Sequence, residues 1–586
     1  MARASSGTTP TARQSLPEPS YRTLLAGLAG SLLCYLAQPP LGLGLLAWVG
    51  PTPWLLLARA PQLPGRRPYR ALWMAGTAYW LAAVYWMCLP FWANFIGFIP
   101  MALYLGAYLP AFVALVRAAI HRFRVPLWLA APVVWTGFEW LRGHLLTGFF
   151  MASLAHTQVE FPLVIQVADL AGEYAVTFLI VLVGSSIASA LPLSLITPST
   201  PSAPGRRDHE DTRPRRILPT LRALAPAAIA LVVAMVYGES QQTYFPVKNN
   251  RAQRSKPTVA IIQTNMLCDW KGTRERDQQA MDAQIEQSVA AASKSSKRVD
   301  LIVWPETMFR QPLFVKDPDR PPAEGALPAA HYTATPSFLR SLTKATGAAL
   351  IVGVDRVVVS QPDPPAPPPD YDALVYNAAV AVDRAGELQG YYAKMHLLPF
   401  GEYIPFASWL PMLSRYVPIT GKALWGPGAA AFTLDGVTYS PNICYETVLP
   451  HLIRRQVNEL AAAGRPPDVL VNLTNDSWFW GSSELDMHLA CGVFRAVEMR
   501  RPLLIAANRG LSAYVDETGR VVAVTDRDVA AELVVEVRLP GDAAVLTRYA
   551  RSGDWLPLAC LAAAGALAVA GVVSWSASRA TAAKPA

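Results

Sequence analysis

Three apolar runs in this chain each deliver an ionisable residue at or just past their end. They are Leu301-Ile-Val-Trp-Pro-Glu306, Tyr391-Tyr-Ala-Lys394 running on to Glu402, and Ser440-Pro-Asn-Ile-Cys444 followed by Tyr445 and Glu446. A carboxylate, an ammonium and a thiol are together the parts of covalent acyl transfer. A thiol, with a reference pKa of about 8.5, is a poor nucleophile until it is deprotonated. Glu306 offers a base for that proton. Lys394 offers a fixed cation for the thiolate and for the oxyanion that follows attack on a carbonyl. Each residue alone has a blander reading. A cysteine on a strand is usually a small buried hydrophobe, and a lone lysine or glutamate at a strand end is usually solvated. It is the three together that point to chemistry.

Residues at strand ends need a sheet to hold them. The polar-charged part of the chain reads as a layered α/β domain. Strands are expected at Thr258–Asn265, Val299–Trp304, Ala349–Val357, Tyr376–Asp383, Leu388–Lys394, Val437–Cys444, Val469–Asn475, Leu503–Asn508 and Ala513–Val524. Helices are expected near 273–296, 335–346, 448–463 and 484–500. The proline-rich run 361–370 suits neither helix nor central strand and reads as a surface insertion in a hairpin.

The same segments resemble the carbon–nitrogen hydrolase (nitrilase) superfamily, whose Glu-Lys-Cys triad occurs in this order on an α-β-β-α sandwich. Further segments narrow the resemblance to the membrane-embedded apolipoprotein N-acyltransferase family: Trp140-Leu-Arg-Gly143 with Thr147-Gly-Phe149, Trp304-Pro-Glu-Thr307, His396-Leu-Leu-Pro-Phe-Gly-Glu-Tyr403, Ile443-Cys-Tyr-Glu446, Asn475-Asp-Ser-Trp-Phe479, Arg501-Pro-Leu-Leu504 and Asn508-Arg-Gly510. The resemblance implies Glu306 as general base, Lys394 as oxyanion-stabilising cation and Cys444 as nucleophile. It also implies Glu402 as a second acidic residue that orients the triad, Tyr445 and Glu446 beside the nucleophile, and Trp270 as a substrate-loop aromatic. For Glu402 and Glu446 a fold-holding ion pair stays open, and for Trp270 core packing does. The chain departs from the family at Trp480, where glycine is usual, and at Asp486-Met487, where Trp-Gln usually precedes the histidine. His488 reads as a packing or hydrogen-bonding residue rather than a base or ligand.

Composition supplies the setting. Of 586 residues 52% are hydrophobic and 16% charged, too few charges for an ordinary soluble protein. The apolar residues concentrate in 23–237 and 555–577. A spanning helix needs about 20 apolar residues, and eight candidates emerge: 23–38, 41–59, 71–90, 93–117, 125–142, 163–196, 217–237 and 555–577. The segment 143–162 is too broken to span and reads as a re-entrant or interfacial piece. Arginines crowd before the first candidate and after the second, fourth and sixth, while the intervening loops carry almost none. By the positive-inside rule both ends are cytoplasmic and 238–554 lies on the far side, which in a double-membraned bacterium, as the resemblance implies, is the periplasmic side of the inner membrane.

The expected organisation is therefore a cytoplasmic tail at 1–22, seven spans over 23–237, a catalytic α-β-β-α domain at 238–554, an eighth span at 555–577 and a short tail at 578–586. The 1–22 segment, rich in Ser, Thr, Pro and Arg, reads as a disordered tail rather than a signal peptide. The net charge of +9 follows from these loop arginines, so nucleic acid is not an expected partner. Six scattered cysteines show no metal-type spacing. No metal or cofactor is expected, and a disulfide among Cys268, Cys444 and Cys491 stays open.

The resemblance implies a phospholipid as acyl donor, a diacylglyceryl-modified lipoprotein amine as acceptor, and a monomer. The rival readings are a membrane-tethered amidase, separated by ammonia release, and a catalytically silent scaffold, separated by a thiol-reactive lipid probe.

Overall fold

The computed structural model describes residues 21–196, 217–249, 256–268, 273–361, 372–399, 401–403 and 423–582. The polar part holds thirteen strands: β1 (Thr258–Gln263), β2 (Leu301–Val303), β3 (Phe309–Lys316), β4 (Ala349–Ser360), β5 (Asp372–Val382), β6 (Leu388–Ala393), β7 (Phe432–Leu434), β8 (Val437–Ile443), β9 (Val469–Asn475), β10 (Leu503–Asn508), β11 (Ala513–Val515), β12 (Val521–Val524) and β13 (Ala531–Glu536). They form two sheets, ordered β13-β1-β2-β4-β5-β6 with β3 also on β4, and β12-β11-β10-β9-β8-β7.

The alternation of side chains along each strand builds the layers. Val259 and Ile261 of β1 meet Ile443, Val471 and Leu504 of the other sheet in the inner core. Ala260 and Ile262 face outward against Met281, Ala291, Leu339 and Leu342 of the helices Arg274–Lys294 and Ala329–Thr346. The second sheet turns Leu470, Leu503 and Ile505 toward the helices Pro450–Ala462 and Glu484–Met499. The α-β-β-α sandwich follows from central strands that are apolar on both faces. Thr273 caps the first covering helix by accepting from the Arg276 amide at 3.3 Å. Gly347, left-handed at φ 68°, ends the second.

Three strands escaped the sequence reading. β3 and β13 are amphipathic edge segments and β7 has three residues. The expected strand Ala513–Val524 is two, turned at Asp516–Arg520 around Gly519. The proline-rich run falls almost wholly outside the described residues; the strands flanking it, β4 and β5, pair antiparallel from Leu350↔Val382 to Ser360↔Asp372.

In the apolar part, four helices among the described residues are long and apolar enough to cross a membrane: Trp92–Arg122, Glu173–Ala190, Pro219–Thr243 and Trp555–Ser574. The other expected spans take different forms. Residues 41–59 form a short 3-10 turn, Gly44–Trp48, and an eight-residue helix, Thr52–Arg59. Eight residues rise about 12 Å, and prolines at 51 and 53 prevent one continuous helix. Tyr21–Ala37 and Pro68–Ala83 have 17 and 16 residues. Leu127–His144 has 18 and carries Glu139 and Arg142 buried. The expected sixth span breaks at Gly172, φ 72°, into short turns and Glu173–Ala190.

Residues 150–158, part of the expected interfacial piece, are buried inside the protein. There His156, Ser153 and Gln158 find protein partners. Ile229, Val232, Val233, Val236, Val569, Val572 and Val573 are well exposed, an apolar surface that water would not tolerate at this extent. The helix layer over the second sheet shares one core with the apolar part, Val493, Phe494 and Val497 joining Ile165, Val167 and Val176.

Candidate active site

Strand ends bring the predicted residues together. Glu306 follows β2, Lys394 follows β6 and Cys444 follows β8. The turn at Glu306 packs directly on β4: a Cβ on Gly353 would lie 2.4 Å from the Pro305 carbonyl and 2.7 Å from the Glu306 Cα. Lys394 Nζ sits 3.2 Å from Glu306 Oε1 and 2.9 Å from Glu402 Oε2. Its main chain is fixed from both sides, donating to the Asn377 carbonyl at 2.8 Å and accepting from Gly426 at 2.7 Å.

Asn377, which the sequence reading missed, completes this group. Its Nδ2 donates to Glu306 Oε1 at 2.7 Å and to Glu402 Oε1 at 3.1 Å. The signal for it is a lone amide inside the otherwise apolar run of β5. The Asn475 amide donates to Glu306 Oε2 at 3.2 Å, and the Leu398 amide to Glu402 Oε2 at 2.8 Å. Burial works against the Lys394 ammonium, but the Glu306 and Glu402 carboxylates outweigh it and hold the group well above its ordinary range.

Cys444 adopts φ 52°, a left-handed conformation that costs a non-glycine residue about 1–3 kcal/mol and persists only where its surroundings enforce it. Two donors hold its carbonyl, Asn472 Nδ2 and His488 Nε2, each at 3.2 Å. Burial pushes the thiol well above its usual range; Glu306 adds to that, and Lys394 opposes it. The resting group is therefore a thiol, and forming the nucleophile requires a proton acceptor.

Glu446 ties this turn to the lysine loop. One carboxylate oxygen accepts from the Ile443 amide at 2.7 Å and the Tyr392 hydroxyl at 2.8 Å, the other from the Met395 amide at 2.7 Å and the His396 amide at 2.9 Å. Burial raises its carboxyl to about 7 against the pull of these donors and of Lys394. Glu446 thus does hold the fold, but at the joint between two site residues. Tyr445 points the other way, into an aromatic cluster of the apolar part with Trp80, Trp86, Phe98 and Phe150. Cys444, Met395 and Leu398 pack against that cluster. Trp270 lies outside the described residues.

The departures from the family pattern find physical places. Trp480 is 71% exposed at φ 52°, a conformation that glycine adopts freely. Its neighbour Phe479 meets Trp86 edge to face at 5.4 Å. Asp486 pairs with Arg527 at 2.7 Å. All six cysteines are free.

Among the described residues one trio, Asp476, Glu484 and His488, brings metal-ligand atoms within 4.8 Å of one another. Burial opposes charge on His488, but Asp476 and Glu484 raise it to about 9. Its Nε2 is engaged by the Cys444 carbonyl at 3.2 Å.

Residues 30–186 match the family description "Apolipoprotein N-acyltransferase N-terminal domain", and residues 258–541 match "Carbon-nitrogen hydrolase". The apolipoprotein N-acyltransferase of Rhodopirellula baltica is 30% identical over 569 residues, covering 90% of this chain and 94% of that protein. Its counterpart in Geobacter metallireducens is 31% identical over 573 residues, covering 94% and 95%. That of Rhodopseudomonas palustris is 29% identical, covering 92% and 93%. With an α-β-β-α domain joined to apolar helices and relatives matched over at least nine-tenths of its length, the chain belongs to the apolipoprotein N-acyltransferase family.

Proposed function

We propose that this protein moves a fatty acyl chain from a phospholipid, through a thioester on Cys444, to the N-terminal amine of an S-diacylglyceryl-cysteine lipoprotein. Glu306 takes the thiol proton as sulfur attacks the ester carbonyl. The oxyanion forms beside Lys394, the bond to the glycerol oxygen breaks, and Glu306 returns the proton to that oxygen, releasing lysophospholipid. In the second half the amine attacks the thioester carbonyl, Glu306 accepts a proton from the amine, the C–S bond breaks and the thiol is restored. Glu402 and Asn377 hold Lys394 and Glu306 in register. No cofactor enters either half.

One observation carries this reading. The lysine held between two carboxylates adjoins the cysteine turn, and the same turn packs against aromatic residues of the apolar helices. A lipid ester can approach such a site from the membrane side.

We further propose eight membrane crossings, counting the shorter helices, with 238–554 on the periplasmic face of a bacterial inner membrane. Arg117 donates to the carbonyls of Leu57 and Pro61, and Arg59 to that of Leu191. The ends of the second, fourth and sixth expected spans therefore gather at one pole, and all three carry arginine-rich loops, as a cytoplasmic face requires. The opposite pole carries Trp86 against Phe479, and Trp140 bonded to Asp554 at 3.0 Å.

The test is mass spectrometry of the protein after incubation with phospholipid. A thioester-linked acyl group on Cys444 is expected, together with its absence in Cys444→Ala. Transfer to a lipoprotein substrate that survives in Cys444→Ala refutes the proposal.

A further inference from the structure

His488 takes no part in the chemistry just described, yet it is buried against the nucleophile. It sits in the first turns of the helix Glu484–Met499, directly behind the Cys444 turn. Its Nε2 lies 3.2 Å from the Cys444 carbonyl oxygen, and because a carbonyl only accepts, this nitrogen carries the hydrogen. The other nitrogen, Nδ1, faces Asp476 Oδ1 at 3.7 Å. Asp476 is itself held by the Thr474 hydroxyl at 2.6 Å and by close approach of the main chain: a Cβ on Gly510 would fall 2.1 Å from its Oδ2. Glu484 and Cys491 are the other titratable groups facing the ring. The arrangement runs from carboxylate to imidazole to peptide carbonyl, with the cysteine at its end.

Two features make this more than packing. The carbonyl that His488 grips belongs to a residue in a left-handed conformation, which needs external restraint. Its second donor, Asn472, is shared, also bonding Asn442 Oδ1 at 2.8 Å. The Cys444 carbonyl is also one end of the peptide whose other end is the Tyr445 N–H, and a donor on the oxygen polarises that N–H.

Building on the acyl-transfer reading of Cys444, we propose that His488 is a positioning residue for the reaction, holding the Cys444 peptide so that sulfur meets the ester beside Lys394. It acts through Cys444 and touches neither lipid nor amine. The expected signature is a slower chemical step with donor binding unchanged.

The experiment measures single-turnover acylation of Cys444 by a defined phospholipid in detergent, comparing wild type with His488→Leu and His488→Gln. His488→Leu keeps bulk and loses the donor. Its acylation rate should fall about 3- to 10-fold, the effect of one hydrogen bond, with the half-saturating phospholipid concentration held within about twofold. His488→Gln keeps a neutral donor and should recover most of the loss. A His488→Leu variant acylating at the wild-type rate overturns the inference, as does a shift in half-saturation alone. So does a His488→Gln variant as slow as Leu with an unchanged melting temperature. If His488→Leu does not assemble, His488→Asn, too short to reach the carbonyl, takes its place. If that fails too while Gln assembles, the histidine serves only the fold and the inference falls. The wild-type arm separates the two proposals: no thioester on wild-type Cys444 sinks the acyl-transfer reading itself, whereas equal rates with and without His488 sink only this one.

Discussion

A buried carboxylate that accepts four hydrogen bonds cannot change chemistry quietly, and Glu446 is such a residue. Its two oxygens receive the Ile443, Met395 and His396 amides and the Tyr392 hydroxyl. In Glu446→Gln one oxygen becomes an amide nitrogen, which donates and cannot accept. Whichever way the amide turns, two of the four donors lose their acceptor and meet a like group. An unmet buried donor costs about 1–3 kcal/mol, so the variant should melt several degrees lower in detergent. It should also acylate more slowly, because the nucleophile turn and the lysine loop lose their common tie. Normal acylation in a variant that melts normally would show that the two loops are held by something else. Lys394 and Glu306 stand in a different relation: they hold each other, with Glu402 and Asn377 closing the group.

At the scale of elements the site depends on how closely strand ends approach one another. β4 passes behind the Glu306 turn with only a glycine between them. Gly353→Ala would push a methyl to within 2.4 Å of the Pro305 carbonyl, and main chain cannot give way as a flexible side chain does. Overpacking of this kind costs about 1–3 kcal/mol, and here the strain falls on the proposed base. The expected outcome is a modest drop in melting temperature and a disproportionate drop in acylation rate; a variant that loses stability but keeps full rate would detach Gly353 from the site. That glycine is invisible as a site residue in the sequence, which explains what could and could not be read there. Glu306, Lys394 and Cys444 were legible because each ends a run of buried apolar residues, and the sandwich was legible because those runs are strand-length and alternate with helical stretches. Asn377 and Gly353 were not, since their importance arises from which strands neighbour each other, β4 with β5 and β2 with β4. The strands β3, β7 and β13 were missed for a related reason: short or half-exposed segments lack the apolar run that marks a central strand. In the apolar part hydropathy marked the apolar stretches, of which four among the described residues are helices long enough to cross a membrane, but not their form, because prolines near 39–61 and Gly172 break helices that composition alone would continue.

On the scale of the whole molecule, the catalytic domain is keyed to the apolar helices by buried charge rather than by apolar contact alone. Arg500, just past the helix Glu484–Met499, reaches Asp169 Oδ2 with Nε at 3.0 Å and Nη2 at 2.6 Å, and Gln166 Oε1 with Nη1 at 2.6 Å. Tyr237 of the helix Ile217–Asn249 donates to the other Asp169 oxygen at 2.7 Å. Within the last turns of the helix Glu484–Met499, Arg495 pairs with Glu498 and with Glu173, and Glu173 also meets His156 at 3.1 Å. Such pairs add little net stability compared with apolar packing, but removing one partner strands the other charge without water. The resulting loss is about 3–5 kcal/mol. Arg500→Met removes both guanidinium donors from one Asp169 oxygen, and Asp169→Asn removes the carboxylate that Arg500 grips. Each should destabilise the protein strongly, and the double variant should recover part of the loss because neither member of the pair is then left charged without the other. Thermal unfolding of the three variants against wild type measures the coupling. Because the helix that ends beside Arg500 also carries His488 behind Cys444, Arg500→Met should slow acylation as well as lower the melting temperature. Additive losses in the double variant would mean that the two side chains act separately and that the joint between domain and helices lies elsewhere.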